Sequence, residues 1–172
     1  MKRIIIVGTT GCGKTTVGKA LSKKLGISFT DLDDLFWLPN WTPRPWEEFT
    51  QLIQEKTSSP TWIISGNQSK TRYLFWAKAD TIIWLDLPFY LIFYQILKRS
   101  FVQSISREKI CNGNKQTFKQ FFWLIRWLFS SFFRRRKTYQ ALCYSEEKKS
   151  SRWIHLKSRR QVNQFLFYSS EK

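Results

Sequence analysis

Residues 8–15 read Gly8-Thr9-Thr10-Gly11-Cys12-Gly13-Lys14-Thr15, which fits the pattern G-x-x-x-x-G-K-S/T of a phosphate-binding loop. A β-branched run, Ile4-Ile5-Ile6-Val7, comes directly before it and is typical of a buried parallel strand. The apolar residues after it recur at spacings of three and four, as in an amphipathic helix: Val17, Ala20, Leu21 and Leu25. Because strand, loop and helix follow one another as the motif requires, the sequence predicts phosphate binding here. The alternative is a glycine turn that leaves Lys14 in solvent.

The residue types of this loop suit an anion. Gly8, Gly11 and Gly13 permit backbone conformations in which successive N–H groups point at one phosphate, and the following helix N-terminus favours negative charge. The motif assigns Lys14 to the β- and γ-phosphates of a nucleotide and the Thr15 hydroxyl to Mg²⁺. The remaining candidates for nucleotide binding are Thr9, Thr10, Cys12 and Thr16.

Length and composition predict one folded domain, residues 1–172. Hydrophobic residues make up 42% of the chain and aromatic residues 17%, which excludes disorder over most of its length. The three cysteines, Cys12, Cys111 and Cys143, are odd in number and far apart, so they favour a reducing cytoplasm over a disulfide framework or zinc site. Cys12 is either a small filler or a thiol whose pKa the helix end lowers. The first strand begins too close to Met1 for a signal peptide.

The net charge is +17, from 29 Lys and Arg against 12 Asp and Glu. Such an excess favours polyanionic partners, namely nucleotides, nucleic acid or an anionic membrane face, although solvated charged surfaces are the alternative. Two apolar segments, 81–97 and 118–133, are shorter than the roughly 20 residues of a membrane-spanning helix, so no transmembrane segment is predicted. The apolar face of 118–133 is expected in the core, with an interfacial helix beside Arg134–Lys137 as the alternative.

The rest of the chain alternates short strands with helices. Four further strands are predicted at 27–32, 62–64, 81–85 and 153–156. Helices are predicted at about 46–57, 71–78, from 88 to 97, at 118–142 and around 162–166, with a proline- and tryptophan-rich loop at 37–46. This alternation predicts an α/β fold with a five-stranded parallel sheet covered by helices on both faces.

The carboxyl ends of the predicted strands carry a convergent set of polar residues, which is where ligands gather in open parallel sheets. These are Asp31, Asp33 and Asp34, then Ser65-Gly66-Asn67, then Asp86, then Lys157-Ser158. We expect Asp33 to orient or deprotonate an acceptor, directly or through Mg²⁺-bound water; the alternative is a helix N-cap. Asp86 either helps to order Mg²⁺ or caps the strand before Pro88. His155, the single histidine, is expected at a core or edge position.

A polar stretch at 100–117 separates two predicted helices and is the lid candidate. Arg99 and Arg107 flank this connection and are the catalytic candidates, and Lys115 closes it. A basic lid excludes water and stabilises the charge of a phosphoryl-transfer transition state. The run Arg134–Arg136 is another source of such an arginine, and surface charge is the alternative for each.

Several blocks together resemble the DNA topology modulation protein family. They are the loop, Asp31-Leu32-Asp33-Asp34-Leu35-Phe36-Trp37, Trp62-Ile63-Ile64-Ser65-Gly66-Asn67, Ile83-Trp84-Leu85-Asp86-Leu87-Pro88 and Leu156-Lys157-Ser158-Arg159-Arg160. That family is similar to adenylate kinase and shikimate kinase among the P-loop kinases. The resemblance implies a three-layer P-loop NTPase fold with sheet order 2-3-1-4-5, ATP on the loop and a lid. It also implies an acceptor site near Asp33 and Gly66-Asn67, and places the turn Lys157-Ser158-Arg159 near the adenine.

This chain departs from the family pattern at Ser65, where an acidic residue is common, and at Gln68 and Lys70, where Tyr and Arg are common. Two functions are therefore carried forward. The first is an ATP- and Mg²⁺-dependent kinase that phosphorylates a small acceptor, for example a nucleotide. The second is an ATP-binding protein associated with nucleic acid, which the net charge favours.

Overall fold

The computed structural model describes residues 1–66, 68–106, 112, 114, 118–145 and 151–169. The strands are β1 (Arg3–Gly8), β2 (Phe29–Asp31), β3 (Trp37–Leu38), β4 (Thr42–Pro43), β5 (Trp62–Ser65), β6 (Thr81–Leu85) and β7 (Arg152–Leu156). Five of them form one parallel sheet in the order β2-β5-β1-β6-β7. Counted within this sheet alone, the order is 2-3-1-4-5, so the predicted fold class and strand order are confirmed. The difference is an additional antiparallel hairpin, β3–β4, within the tryptophan-rich loop.

Helices cover both faces of the sheet. They are α1 (Lys14–Leu25), α2 (Leu32–Phe36), α3 (Trp46–Lys56), α4 (Arg72–Phe75), α5 (Phe89–Ser106), α6 (Phe118–Tyr144) and α7 (Arg159–Tyr168). The side chains of β1 alternate between the two faces of the sheet. Ile4 and Ile6 pack on one face with Leu21 of α1, whereas Ile5 packs on the other face with Phe49 of α3. The central strand is therefore buried on both sides, as its continuous apolar run predicted.

The largest departure from the predicted elements is in α5, which continues to Ser106 instead of ending near residue 97. Ser100 is buried, so the polar residues after Leu97 do not mark the end of the helix. The first part of the lid candidate is thus helical. Residues 107–111, 113 and 115–117, which include Arg107 and Lys115, lie outside the described residues.

Two asparagines of the same stretch contact the β3–β4 hairpin. The Asn112 side-chain amide donates to the carbonyls of Asp34 and Trp37 at 2.6 and 2.7 Å. Asn114 donates to the Leu38 carbonyl at 3.0 Å and accepts from the Trp41 N–H at 2.8 Å. Asn112 and Asn114, which lie between α5 and α6 in the chain, are therefore hydrogen-bonded to the hairpin.

The apolar face of α6 is divided between the core and the surface. Leu128 and Phe132 are buried, as the core interpretation predicted, but Phe129 exposes 56% of its surface. Phe121, Leu124 and Ile125 are half-buried against the same core. None of the helices in the described part of the chain combines the length and apolarity that crossing a membrane requires.

Gly18 in α1 is the position where helix and sheet approach most closely, because a Cβ placed there would overlap the ring of Phe29 in β2. We predict that Gly18→Ala destabilises the protein by about 1–3 kcal/mol through overpacking. In a Phe29→Ala background the same change should stabilise by about 1 kcal/mol, since only the helix propensity of alanine then remains. Chemical denaturation of the four proteins measures both effects. Equal destabilisation in the two backgrounds would contradict this packing.

Candidate active site at the phosphate-binding loop

The loop between β1 and α1 has the backbone of an anion cradle. Gly11 and Gly13 have φ angles of +79° and +92°, which favour glycine. A Cβ at Gly11 would lie 2.7 Å from Cδ1 of Ile96 on α5, so this glycine also allows the helix to approach. A Cβ at Gly13 would meet nothing within 4 Å, and the loop is open on that side. The cradle therefore has room for a ligand at the N-terminus of α1.

Lys14 lies across this loop. Its ammonium group donates to the carbonyl of Thr9 at 3.0 Å and approaches that of Gly8 at 3.4 Å. The side chain is half-buried, so the interpretation that leaves Lys14 free in solvent does not describe the structure. The ammonium group is thus held at the start of the loop, and a phosphate oxygen can replace a carbonyl as its acceptor.

A single carboxylate joins the loop to α2. The Thr15 hydroxyl donates to Oδ2 of Asp31 at 2.6 Å, and the backbone N–H of Asp33 donates to Oδ1 of Asp31 at 3.1 Å. Asp31 is therefore the N-cap of α2, and the N-cap alternative for Asp33 is wrong. Sequence reasoning chose Asp33 as the metal-site partner of Thr15 and missed Asp31. The available signal was its position as the last residue of β2.

Asp33 lies in the first turn of α2 with part of its surface open to solvent. Partial removal of its carboxyl from bulk water, and then the negative charge of Asp31, raise the pKa of Asp33 above its ordinary value. The positive charges of Lys14 and Arg135 act in the opposite direction. The carboxyl thus lies within electrostatic range of the loop lysine and of one arginine of α6.

Arg135 is the arginine of the run Arg134–Arg136 that reaches this site. Its charge lowers the pKa values of Asp33 and of Cys12 in the loop. It is half-buried, with its guanidinium carbon 5.5 Å from the centre of the Trp127 ring. Burial nevertheless raises the pKa of the Cys12 thiol overall, so the interpretation of Cys12 as a thiol with a lowered pKa is wrong.

A cavity of about 400 Å³ adjoins the loop on the α5 side, and Arg99 lines it together with Arg159. With its amide assigned in the orientation that satisfies both neighbours, Gln95 donates to the Gly11 carbonyl at 2.7 Å and accepts from Arg159 at 3.1 Å, which links the loop to the cavity. Arg159, at the start of α7, belongs to the Lys157-Ser158-Arg159 turn that was expected near the adenine, and it is the residue of that turn that lines this cavity. Its neighbour Ser158 instead caps α7 by accepting from the Gln161 N–H.

A second cavity, of about 320 Å³, lies on the other side of β7 and contains Lys157. Here Asp86 accepts a hydrogen bond from Nε2 of His155 at 2.9 Å and forms an ion pair with Nε of Arg136 at 3.0 Å. The His155 ring stacks on Trp84 with centroids 3.9 Å apart. Asp86 is thus engaged in an ion-pair network beside β7, and the half-buried position of His155 agrees with the expected edge position.

The predicted acceptor residues end β5, next to β1 and β2 in the sheet. Ser65 is fully buried, and its hydroxyl has no hydrogen-bond partner among the described residues. A Cβ at Gly66 would lie 2.7 Å from Cβ of Leu32, so glycine lets the start of α2 pack against this strand end. Asn67 lies outside the described residues.

Comparison with known proteins agrees with this geometry. The AAA domain family matches residues 4–99, which is more than half of the chain. The chain belongs to the AAA domain family. Like other structures with a phosphate-binding loop in this position, this AAA domain has its candidate ligand groups at the carboxyl ends of the parallel strands.

Individual relatives of this AAA domain include proteins named as kinases. The chain is 53% identical over 36 residues to shikimate kinase 2 of Sodalis glossinidius, and this alignment covers 21% of each protein. It is 30% identical over 116 residues to the protein YqaC of Bacillus subtilis, covering 66% of this chain and 65% of YqaC. The alignments thus span about a fifth and just under two thirds of these relatives.

Among solved structures, shikimate kinase from Acinetobacter baumannii in complex with shikimate superimposes with a TM-score of 0.54 at 20% identity. The superposition covers 100% of this chain and 95% of that one, so the two share a fold over their whole length. The shared fold agrees with the P-loop NTPase fold expected from the sequence. The narrower resemblance to DNA topology modulation proteins stays a prediction.

The residues of the AAA domain fit a nucleotide phosphate with Mg²⁺. The open side of the loop at Gly13, the Lys14 ammonium group and the N-terminus of α1 suit phosphate oxygens. The Thr15 hydroxyl and the Asp31 carboxylate supply the oxygen ligands that Mg²⁺ prefers, since it is commonly held by one or two carboxylates together with phosphate and water. In the part of the chain that the structure describes, no three His, Cys, Asp or Glu side chains cluster as a metal site.

We predict that Asp33→Asn stabilises the protein at neutral pH. Because folding raises the pKa of Asp33, the ionised carboxylate disfavours the folded state above the ordinary pKa of an aspartate, and protonation removes this effect below it. Thermal unfolding measured without divalent cations should therefore show a gain in melting temperature at pH 7 that vanishes in acid. Glu47→Gln removes a similar charge from the exposed start of α3 and should give no gain. A gain that persists in acid would contradict the electrostatic explanation.

Proposed function

We propose that this protein is an ATP-dependent phosphotransferase that transfers the γ-phosphoryl group to a hydroxyl of a small, negatively charged acceptor. The observation that carries the proposal is the 2.6 Å hydrogen bond between Thr15 of the loop and Asp31, with Asp33 on the next turn of backbone. Asp31 thereby links the phosphate-binding loop to the first turn of α2, which carries the Asp33 carboxyl of raised pKa. The kinase names of several relatives support the same reaction class.

The residues divide the chemistry between them. Lys14 and the loop N–H groups hold the phosphates, and Thr15 with Asp31 would hold Mg²⁺, which neutralises charge on phosphate oxygens when bound. Asp33 accepts the proton of the acceptor hydroxyl, and its raised pKa makes it a stronger base than an ordinary aspartate. The hydroxyl oxygen forms its bond to the γ-phosphorus as the bond to the β–γ bridging oxygen breaks, and ADP leaves.

Arg135 is proposed as the cation that stabilises the charge of the transition state. It acts electrostatically on both the loop and Asp33, and α6 holds it half-buried against Trp127. Arg99, predicted for this role from sequence, instead lines the cavity beside Gly11 opposite Arg159. We assign that cavity to the nucleoside, since guanidinium planes stack on flat aromatic rings. The predicted roles of Lys157, Ser158 and Arg107 stay predictions.

The negative charge of the acceptor is inferred from the cations around Tyr139. This tyrosine of α6 is buried, which raises the pKa of its hydroxyl, while Arg72, Lys14 and Arg135 oppose the shift. Arg72 is half-buried, with its guanidinium carbon 4.8 Å from the Trp76 ring centre and 5.6 Å from that of Tyr139. Cations gathered in one half-buried region favour a carboxylate or phosphate group on the acceptor.

A test of the reaction class is ATP consumption measured across a panel of hydroxy acids, nucleoside monophosphates and neutral sugars with Mg²⁺. We expect turnover with an anionic acceptor and its loss in Lys14→Ala, because the loop then lacks its phosphate cation. Lys19→Ala removes an exposed lysine of the same helix and serves as the control. Equal ATP consumption by Lys14→Ala and the wild type would rule out the proposal.

A second prediction separates the adjacent arginines of α6. Arg135→Gln should lower kcat by about 10²-fold or more, the usual cost of removing a preorganised group that stabilises transition-state charge. Arg134→Gln, at an exposed position one residue away, should change kcat by less than about twofold because surface charges act weakly. Steady-state kinetics with the acceptor found in the panel provide the measurement. Equal losses would show that Arg135 acts only through net charge.

The alternative function, an ATP-binding protein associated with nucleic acid, still rests on the net charge of +17. Such binding is dominated by phosphate contacts and weakens steeply with salt. The ATP-consumption panel separates it from the kinase proposal, since a nucleic-acid-binding protein does not require an acceptor hydroxyl beside Asp33.

A further inference from the structure

Helices α5 and α6 expose aromatic side chains in two regular stripes. On α5, Tyr90, Tyr94, Leu97 and Phe101 recur at spacings of four, three and four and are all exposed. On α6, the exposed residues Phe122, Arg126, Phe129, Phe133 and Lys137 recur at spacings of four, three, four and four. Phe101, Phe122 and Phe133 expose 70%, 68% and 67% of their surfaces. We call these two stripes the aromatic–basic face.

The two stripes flank one seam between the helices. The Phe129 ring lies 5.0 Å from that of Phe89 and 6.0 Å from that of Phe93, centroid to centroid. Phe129 belongs to the exposed stripe of α6, whereas Phe89 and Phe93 lie next to the exposed stripe of α5 around the helix. Ring contacts across the seam therefore join the stripes into one continuous surface.

The charge of this face has one sign. The sequence of α5 and α6 contains no Asp or Glu, while Lys98 of α5 and Arg126 and Lys137 of α6 are exposed on or beside the stripes. An exposed surface of this kind suits a partner that is both anionic and apolar. A second copy of the chain would bring like charges together, and its net charge of +17 makes that pairing unfavourable.

We propose that the aromatic–basic face docks on the surface of an anionic phospholipid bilayer, with α5 and α6 lying in the plane of the interface. Phenyl rings and Leu97 enter the boundary between headgroups and acyl chains, and tyrosine rings lie at headgroup level with their hydroxyls in water. Lys98, Arg126 and Lys137 contact lipid phosphates, with their alkyl stems along the apolar surface. This inference does not rest on the proposed phosphoryl transfer, although Tyr94 and Lys98 also line the cavity assigned to the nucleoside.

We expect membrane binding to need both the basic side chains and the aromatic rings of this face. Cation attraction falls off within a Debye length of the membrane, so it brings the protein to the surface and is weakened by salt. Ring insertion then retains it, because burying apolar area in the interface is favourable and little affected by salt. Neither uncharged lipid nor the cations alone should suffice.

Co-sedimentation of the full chain with vesicles tests the proposal, using phosphatidylcholine alone and phosphatidylcholine mixed with phosphatidylserine. We expect binding to the mixed vesicles and a partition coefficient that falls about tenfold in Phe122→Ser/Arg126→Gln, given roughly 1 kcal/mol per basic residue at the surface and the loss of a ring. Phe167→Ser/Arg160→Gln is the matched control. It removes one exposed phenylalanine and one exposed arginine from α7 and should retain binding within about twofold.

Several results would overturn the proposal. One is a wild-type protein that does not sediment with anionic vesicles at low salt, and another is an equal loss in the two double variants, which would mean that bulk charge alone attracts the protein. Binding of single-stranded oligodeoxythymidine that Phe122→Ser/Arg126→Gln abolishes, with vesicle binding unchanged, would assign the face to nucleic acid. Sedimentation velocity showing a dimer lost in that variant would assign it to a second copy.

Folding of the variants is checked by thermal unfolding. If Phe122→Ser/Arg126→Gln proves unstable, Phe133→Ser/Lys137→Gln changes the same stripe further along α6 and should give the same loss of partitioning. The salt dependence of wild-type binding to mixed vesicles is a further readout that needs no variant.

Discussion

The Asp31 carboxylate is the contact on which the rest of the site depends. One of its oxygens accepts from Thr15 at the start of α1, and the other caps α2 at the N–H of Asp33. Asp31 thereby connects α1, which follows β1, to α2, which follows β2. The parallel register that places Asp31 beside Ser65, and Ser65 beside Ile6, brings this carboxylate to the same edge as the loop. The candidate site thus depends on the register of the sheet as well as on the sequence motif of the loop.

Features encoded by neighbouring residues could be predicted from sequence. The loop, the apolar run of β1 and the strands β5 and β6 each rest on a local pattern, and their order follows from the alternation of strands and helices. The N-cap of α2 was harder to predict, since Asp31 and Asp33 are both acceptable N-caps by residue type. Only the backbone geometry shows which of the two accepts the hydrogen bond.

Residues that act across the fold could not be predicted. Arg135 follows a connection of more than ten residues after α5, and its proximity to Asp33 depends on how α6 packs, which no local pattern specifies. The Lys157-Ser158-Arg159 turn was expected near the adenine, but which cavity each residue faces depends on the fold. Arg159 lines the cavity beside α5, whereas Lys157 lines the cavity on the other side of β7.

The β3–β4 hairpin has strands of only two residues each, too short to persist alone in water. Three hydrogen bonds with Asn112 and Asn114, more than 70 residues later in the chain, hold its Trp37 and Leu38 carbonyls and the Trp41 N–H. Opening of the hairpin therefore breaks its hydrogen bonds to Asn112 and Asn114, so the hairpin and these two asparagines are coupled. Amide exchange at Trp41 reports on an opening equilibrium that is shared by two distant parts of the sequence.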